Sequence, residues 1–310
     1  KLHLDTSMGC AGEPAALDDA LTAERALRMA KVAERTAASI GGDMPVYIVG
    51  TEVPPPGGAH HVITELEPTS VEAARRTIEV HRKFFLDAGL GDAFSRVIAI
   101  VVQPGVEFGN ENVVIYDRDR ARALSALLDD EPALIYEAHS TDYQGSKPLK
   151  HLVEDGFAIL KVGPELTFAL REALYGLDLI ASDLRPDYPP RNLQTVLESL
   201  MLEKPGNWRG HYHGSEAEER VQRHYSYSDR IRYYWNQPEA EAAVRRLMAA
   251  LEGRNVPAPL FRQHLCRFED RAGRPLDAQA LLVASVQRVL DDYRYACLPG
   301  AHAKSEPHDF

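Results

Sequence analysis

Four polar side chains follow an apolar run that begins at Ala133. Glu137, His139, Asp142 and Tyr143 lie within seven residues of one another. Such a run predicts a buried strand, and parallel α/β folds bind ligands where their strands end. His139 could bind a metal through one ring nitrogen while a carboxylate such as Glu137 holds the other. In a structural alternative, His139 caps a turn and Asp142 caps the next helix.

Polar residues also end the other predicted strands: Asp5, Glu52, Gln103 with Glu107, and Lys161. Strand ends converge on one mouth of a barrel, so we expect these side chains to meet His139. Carboxylates, an imidazole and an ammonium suit a divalent metal with acid–base chemistry. We predict metal ligands at Glu52 and His139. The catalytic candidates are Asp5, Asp142 and Lys161, although Asp5 could instead cap a loop and Lys161 could be structural.

Further residues are predicted to bind a polar substrate. At the same mouth these are Gln103, Glu107, Ser140 and Tyr143. Arg230 and Arg232 precede three aromatic residues, and guanidinium groups match phosphate oxygens. The Gly163–Pro164 turn could add N–H groups for an anion. The alternative for the aromatic segment is a seam that packs C-terminal helices onto the rest of the chain.

The elements that must position these residues alternate between strand and helix. Strands are predicted at 2–6, 45–50, 96–102 and 157–162, in addition to the run from Ala133. They are nearly continuous in apolar residues, which is typical of parallel strands covered on both faces. Thr22 is predicted to cap the first helix, and Thr69 with Glu72 to open the second. Later helices are predicted near 118–128 and 147–154.

After Pro164 only helices are predicted, near 165–183, 191–203, 215–235, 238–252 and 276–297. We therefore divide the chain into a barrel part at 1–183 and a helical C-terminal region at 184–310, packed on the barrel.

Composition limits the possible partners. The 310 residues carry 46 acidic and 35 basic side chains, a net charge of -11, which argues against nucleic acid or an anionic membrane as a partner. No apolar run reaches the roughly 20 residues of a membrane span, and no leader sequence is evident, so we expect a cytoplasmic protein. Three distant cysteines suggest neither a disulfide framework nor a thiolate metal site.

Six segments together resemble one known family: KLHLDTSM (1–8), GTEVP (50–54), VVQPGVEF (101–108), EAHSTDYQ (137–144), ILKVGPELTF (159–168) and YSYSDRIRYYW (225–235). They are similar to the GatZ/KbaZ family, the second subunit of D-tagatose-1,6-bisphosphate aldolase. The resemblance implies a (β/α)8 TIM barrel of the class II, zinc-dependent aldolase type, with this chain beginning at about strand four. The start at Lys1 without a methionine agrees with missing N-terminal strands, because five strands cannot close an eight-stranded barrel.

The resemblance also implies site residues. His139 falls where class II aldolases place a zinc-binding histidine, Glu52 where they carry a glutamate, and Asp5 at the end of strand four. Two features depart from that pattern. Gln103 stands near the position of a further zinc-binding histidine, and 140–143 replaces a glycine-rich phosphate loop.

Two functions follow as hypotheses. In the first, the chain is a component of tagatose-bisphosphate aldolase in galactitol-type metabolism and supports a separate catalytic class II aldolase subunit. In the second, it is a stand-alone ketohexose 4-epimerase, for tagatose and fructose, that cleaves and rejoins the C3–C4 bond. Both hypotheses imply a divalent metal, with zinc as the first candidate. Both also imply a ketohexose or its phosphate as the ligand, and a homo-oligomeric protein.

Overall fold

Five parallel strands form the sheet that carries the candidate site. The computed structural model describes residues 1–14, 17–51 and 66–298. Within this part of the chain the strands are β1 (Leu2–His3), β2 (Tyr47–Val49), β3 (Val97–Val102), β4 (Glu107–Phe108), β5 (Val113–Val114), β6 (Ile135–Ala138) and β7 (Ile159–Leu160). The sheet runs in the order β1-β2-β3-β6-β7, whereas β4 and β5 form a separate antiparallel hairpin. The parallel sheet is confirmed, and the hairpin is an element that the sequence analysis missed.

The register of the sheet places polar and apolar side chains on one face. His3 pairs with Ile48, and Glu137 pairs with Val101 on one side and Ile159 on the other. Paired residues in neighbouring strands point to the same face. Ile48 and Val101 form a small buried cluster there, against which Ile159 packs. His3 and Glu137 therefore share this face with an apolar floor.

The sheet is curled. β1 and β6 are three places apart, which in a flat sheet means about 14 Å, yet His3 Nδ1 and Glu137 Oε1 are 3.2 Å apart. Only a sheet that bends toward this face can bring them together. The described residues thus form part of a barrel wall with five strands, and a closed eight-stranded barrel is not present among them.

The strands alternate with helices that cover the outer face. These are α1 (Asp19–Ile40), α2 (Val71–Asp87), α3 (Gly91–Phe94), α4 (Arg118–Ala126) and α5 (Ser146–Glu154). The predicted caps were wrong by a few residues. Asp18 caps α1 by accepting the Leu21 N–H, and Ser70 caps α2. Thr22 is instead fully buried in the first turn of α1.

The second half is helical, as predicted. Its helices are α6 (Pro164–Leu184), α7 (Asn192–Glu203), α8 (Glu216–Tyr225), α9 (Pro238–Leu251), α10 (Ala258–Leu265) and α11 (Ala278–Cys297). The helix predicted over 215–235 ends at Tyr225, because Ser226 is extended (ψ 142°). Asp229 then adopts a left-handed conformation (φ 43°), and a 3₁₀ segment follows at Arg230–Tyr234. Helix α10 was not predicted.

Two main hydrophobic clusters correspond to the two halves. The first packs the sheet against α1, α2, α4 and α5, and the second packs α6, α7, α9, α10 and α11 together. Helix α6 takes part in both, with Ala169 in the first cluster and Ala173 in the second. The predicted division at 183 stays a prediction, since the change of core falls inside α6. None of the helices in the described residues is long and apolar enough to cross a membrane.

Candidate functional site

One carboxylate oxygen, Glu137 Oε1, is the centre of a polar cluster on the concave face. His139 Nε2 lies 2.8 Å from it, Lys161 Nζ 3.0 Å and His3 Nδ1 3.2 Å. Lys1 Nζ is 3.4 Å from the second oxygen, Oε2. Glu137 itself is fully buried. The cluster thus joins residues from β1, β6 and the end of β7 around one buried anion.

The pKa shifts in this cluster have clear causes. Burial by itself would raise the pKa of Glu137, but hydrogen bonds from His139 and Lys161 outweigh burial and lower this pKa to about 2. Burial, reinforced by the positive charge of Lys161, lowers the pKa of His3. At neutral pH the cluster therefore contains an ionised Glu137 and a neutral His3.

These residues fit a divalent cation. His3, Glu137 and His139 each offer one ligand atom, and the three atoms lie within 4.8 Å of one another. Two imidazoles and a carboxylate form a common donor set for catalytic zinc and related metals. His3 Nε2 is buried without a hydrogen-bond partner, so the ring is not fixed through both nitrogens. The arrangement is the one group of this kind found in the described parts of the chain.

The predicted catalytic residues take three different positions. Lys161 lies inside the cluster, 2.8 Å from His3 Nδ1, with 41% of its side chain exposed. Asp5, two residues beyond His3, is exposed, and its Oδ1 accepts a hydrogen bond from Ser7 Oγ. Asp142 is buried, and its Oδ1 accepts the N–H groups of Gly163 and Glu165, both at 2.9 Å.

Asp142 therefore occupies the helix N-terminus that we expected to be open to an anion. The two N–H groups that begin α6 are already bonded to its carboxylate. Burial raises the pKa of Asp142, and these N–H groups oppose the rise. The helix-capping alternative for Asp142 agrees with these contacts, whereas the expected anion site at the Gly163–Pro164 turn was wrong.

The predicted substrate-binding residues near this mouth are mostly engaged with backbone groups. Gln103 Oε1 accepts the N–H groups of the tight turn at Gly105 and Val106. Tyr143 donates its backbone N–H to Glu165 and its hydroxyl to the carbonyl of Tyr227. These contacts shape the loops around the cluster.

Glu107 and Ser140 are in contact, and Ser140 directly follows His139 in the chain. Buried Glu107 accepts the N–H of Phe108, and Ser140 hydrogen-bonds to its carboxylate. Burial raises the pKa of Glu107 to about 7. Ser140 and Tyr143 both have positive φ, 54° and 63°. Such strain in non-glycine residues concentrates at functional sites.

Arg230 and Arg232 lie in the 3₁₀ segment after α8. Arg232 donates to the carbonyl groups of Ser228 and Asp229 and to the Tyr233 hydroxyl, and its charge acts on Asp142. Arg230 donates to the Asn207 carbonyl and is mostly buried. Of the two arginines, Arg232 is therefore the one whose charge lowers the pKa of Asp142 in the strand-end loop.

Sequence reasoning missed two of the three possible metal ligands. His3 and Glu137 lie in two of the segments that resemble the GatZ/KbaZ family (1–8 and 137–144), but neither was predicted as a metal ligand. A signal was available, because His3 is two residues before Asp5 and Glu137 two before His139, and residues two apart share a strand face. The other predicted metal ligand, Glu52, lies outside the described residues.

The curled parallel sheet, with two histidines, a glutamate and a lysine on its concave face, places the chain among α/β proteins with a polar site at the strand ends. Comparison with known proteins identifies the group more closely. The chain belongs to the D-tagatose-1,6-bisphosphate aldolase subunit GatZ/KbaZ-like family, whose model matches residues 1–298.

Two relatives show the likeness in detail. The chain is 56% identical over 302 residues to the D-tagatose 6-phosphate 4-epimerase of Agrobacterium fabrum (strain C58). The matched region covers 97% of this chain and 71% of the relative. It also resembles the crystal structure of a probable tagatose 6 phosphate kinase from Sinorhizobium meliloti 1021. The TM-score is 0.83 at 55% identity, over 95% of this chain and 72% of the other.

Proposed function

We propose that the chain is a ketohexose-phosphate 4-epimerase that interconverts tagatose 6-phosphate and fructose 6-phosphate. The observation that carries the proposal is the meeting of His3, Glu137, His139 and Lys161, in a chain 56% identical to a protein named for this reaction. This proposal takes the epimerase hypothesis ahead of the aldolase-component hypothesis.

The chemistry requires a carbon–carbon cleavage. The hydrogen on C4 of a 2-ketose is not acidic, so C4 cannot be inverted by simple proton exchange. When a base removes the proton of the C4 hydroxyl, the C3–C4 bond can break, and its electron pair moves toward the C2 carbonyl. The products are the enediolate of dihydroxyacetone and glyceraldehyde 3-phosphate. The aldehyde turns its other face to C3, the bond re-forms, and the proton returns to O4.

The concave cluster suits the ketone end of this reaction. His3, Glu137 and His139 would hold a divalent cation, and such a cation polarises the C2 carbonyl and stabilises negative charge on O2. Lys161, with its partly exposed ammonium, can donate a hydrogen bond to the same oxygen. The cluster thus supplies positive charge where the reaction develops negative charge.

The base at O4 is assigned to Asp5. It is exposed, it lies two residues from His3, and among the described residues its carboxylate accepts a single hydrogen bond, from Ser7 Oγ. Asp142 is less suitable, because one of its oxygens is held by two N–H groups. For the 6-phosphate we assign Arg232, which can present a guanidinium fork to phosphate oxygens.

The aldolase-component hypothesis remains the second candidate, supported by the family's description. The purified protein, incubated alone with tagatose 6-phosphate, distinguishes the two. We expect fructose 6-phosphate to form, as followed by 13C NMR, and the reaction to stop with a chelator and restart with a divalent cation. An inactive protein that only raises the activity of an added class II aldolase contradicts the epimerase proposal.

The matched pair of variants is His139→Ala and His213→Ala. Both remove an imidazole, but His213 is exposed on the loop before α8, far from the sheet in sequence. We expect His139→Ala to abolish fructose 6-phosphate formation and His213→Ala to leave it unchanged. Equal losses in the two variants would show that the effect does not arise at the cluster.

A further inference from the structure

Three polar atoms of the cluster, one each from His3, Glu137 and Lys161, are in mutual contact. His3 Nδ1 and Glu137 Oε1 are 3.2 Å apart, and Lys161 Nζ is 2.8 Å from the first and 3.0 Å from the second. An ammonium has three donors and no acceptor. The 2.8 Å distance therefore assigns a lone pair, not a proton, to His3 Nδ1.

With that assignment, His3 Nδ1 and Glu137 Oε1 are two acceptors in close contact. Two lone-pair atoms at this distance repel unless a cation lies beside both. Lys161 is that cation, and it also offsets the buried charge of Glu137. Lys1 is a weaker partner, since its Nζ is 3.4 Å from the other carboxylate oxygen.

We infer that Lys161 and a divalent cation compete for His3 and Glu137, so that the ammonium of Lys161 leaves these two ligands when a metal binds. The inference rests on the metal site of the proposed function. A divalent cation needs the same lone pairs that Lys161 now uses. It would also be repelled by an ammonium held within hydrogen-bond distance of its ligands.

The competition has a mechanistic consequence. An ammonium that leaves His3 and Glu137 has no other hydrogen-bond or ion-pair partner among the described side chains, and 41% of the Lys161 side chain is already exposed. It is then available to the negatively charged oxygen of the substrate. Metal loading and the arrival of Lys161 at the substrate are therefore coupled in one step.

The experiment compares cation binding by Lys161→Met with that of the parent protein, by titration calorimetry with Zn²⁺ and by the absorption spectrum of bound Co²⁺. The competition predicts that Lys161→Met binds either ion about tenfold more tightly or more. If Lys161 instead positions the ligands for metal, the variant binds more weakly. The two outcomes have opposite signs.

The matched control is Lys147→Met. It removes the same charge from an exposed position in α5, and we expect unchanged affinity. Lys161→Arg keeps the cation and should bind no more tightly than the parent, and it remains informative if Lys161→Met fails to fold. Tight binding by Lys161→Arg overturns the inference.

The failures can be told apart. If the parent protein binds metal in a His139-dependent way but Lys161→Met binds no more tightly, the inference is wrong and the proposed metal site stands. If neither protein binds Zn²⁺ or Co²⁺, both are wrong. Thermal denaturation gives a second readout, because the competition predicts a larger rise in Tm on adding Zn²⁺ to Lys161→Met than to the parent.

Discussion

Lys161 Nζ lies 2.8 Å from His3 Nδ1, although the two residues belong to opposite edges of the five-stranded sheet. Four steps between strands would separate these edges by about 19 Å in a flat sheet. The contact is possible because the sheet curls and its concave side chains converge. The curvature of the sheet is therefore what assembles the candidate site.

Replacing His3 tests a ligand that comes from the first strand. We expect His3→Ala to lower the affinity for Zn²⁺ by about 10- to 100-fold or more, because one of three ligand atoms is lost. Titration calorimetry measures the change, with His213→Ala as the control for loss of an exposed imidazole. Unchanged affinity in His3→Ala would remove His3 from the metal site.

Asp142 is expected to be important for stability through the start of α6. Asp142→Ala leaves two partly buried N–H groups without their acceptor and should lower the free energy of unfolding by about 1–3 kcal/mol. Asp142→Asn keeps an acceptor oxygen and should cost less. Urea denaturation measures both, and Asp43→Ala, at an exposed position before β2, is the control. A stable but inactive Asp142→Asn variant would instead support the prediction that Asp142 is a catalytic residue.

Stability should fall as the pH rises above the ordinary range of a carboxyl group. Burial raises the pKa of Glu165 to about 8 and that of Glu107 to about 7, from a usual value of 4.5. At a pH between the usual pKa of 4.5 and these raised values, the folded chain binds more protons than the unfolded chain. The free energy of unfolding therefore decreases as the pH rises from about 4.5 to 8. Glu165→Gln keeps the acceptor for the Tyr143 N–H and should flatten this decrease.

The control for that measurement is Glu203→Gln, at the exposed end of α7. It should leave the slope of stability against pH unchanged.

At acid pH, Glu137 has the opposite effect on stability. Its pKa is lowered to about 2, so its contribution is present above about pH 4.5 and is lost as the pH falls toward 2. A slope in Glu165→Gln equal to that of the parent contradicts the assignment.

The buried ion pair between Arg171 and Asp229 should be sensitive to removal of either partner. Arg171 Nε lies 2.7 Å from Asp229 Oδ1, and Thr167 donates to the other oxygen. Arg171→Leu leaves a buried carboxylate without its cation and should cost about 3–5 kcal/mol. Adding Asp229→Asn should recover part of the loss. The free energies of the two single variants and the double variant give the coupling; additive losses would mean that the pair is not coupled.

Arg232 should act on the phosphate of the substrate. Arg232→Met is expected to raise KM for tagatose 6-phosphate by about 10- to 100-fold through the loss of charged hydrogen bonds. The rate with unphosphorylated tagatose should change little. Comparison of the two sugars separates phosphate binding from damage to the fold, since general damage lowers both activities together.

The sequence was sufficient for the parallel strands, because their runs of apolar residues are unambiguous. It also placed His139 and Lys161 at strand ends, and the structure brings these two to the same carboxylate. The helix caps were harder to predict, since Asp18 and Thr22, or Ser70 and Thr69, offer similar side chains a few residues apart. Only backbone conformation decides between such neighbours.

What could not be predicted depends on contacts between distant segments. Asp142 caps α6 from a loop 21 residues before Gly163, and Glu107 is buried beside Ser140. A carboxylate that binds a helix N-terminus and one that binds substrate look alike in a sequence. The two are separated only when the loops are seen to meet.

Helix α11 has a consequence for how the protein is made. Its first half packs with Leu281 in the second hydrophobic cluster, and its last turns place Val289 and Tyr293 in the first. Tyr293 also donates its hydroxyl to the carbonyl of Thr141, directly beside the strand-end loop. During synthesis on the ribosome, about 150 further residues are added after Thr141 before Tyr293 can form this contact. The candidate site is therefore completed late in translation, and a nascent chain that stops before α11 lacks this contact to the strand-end loop.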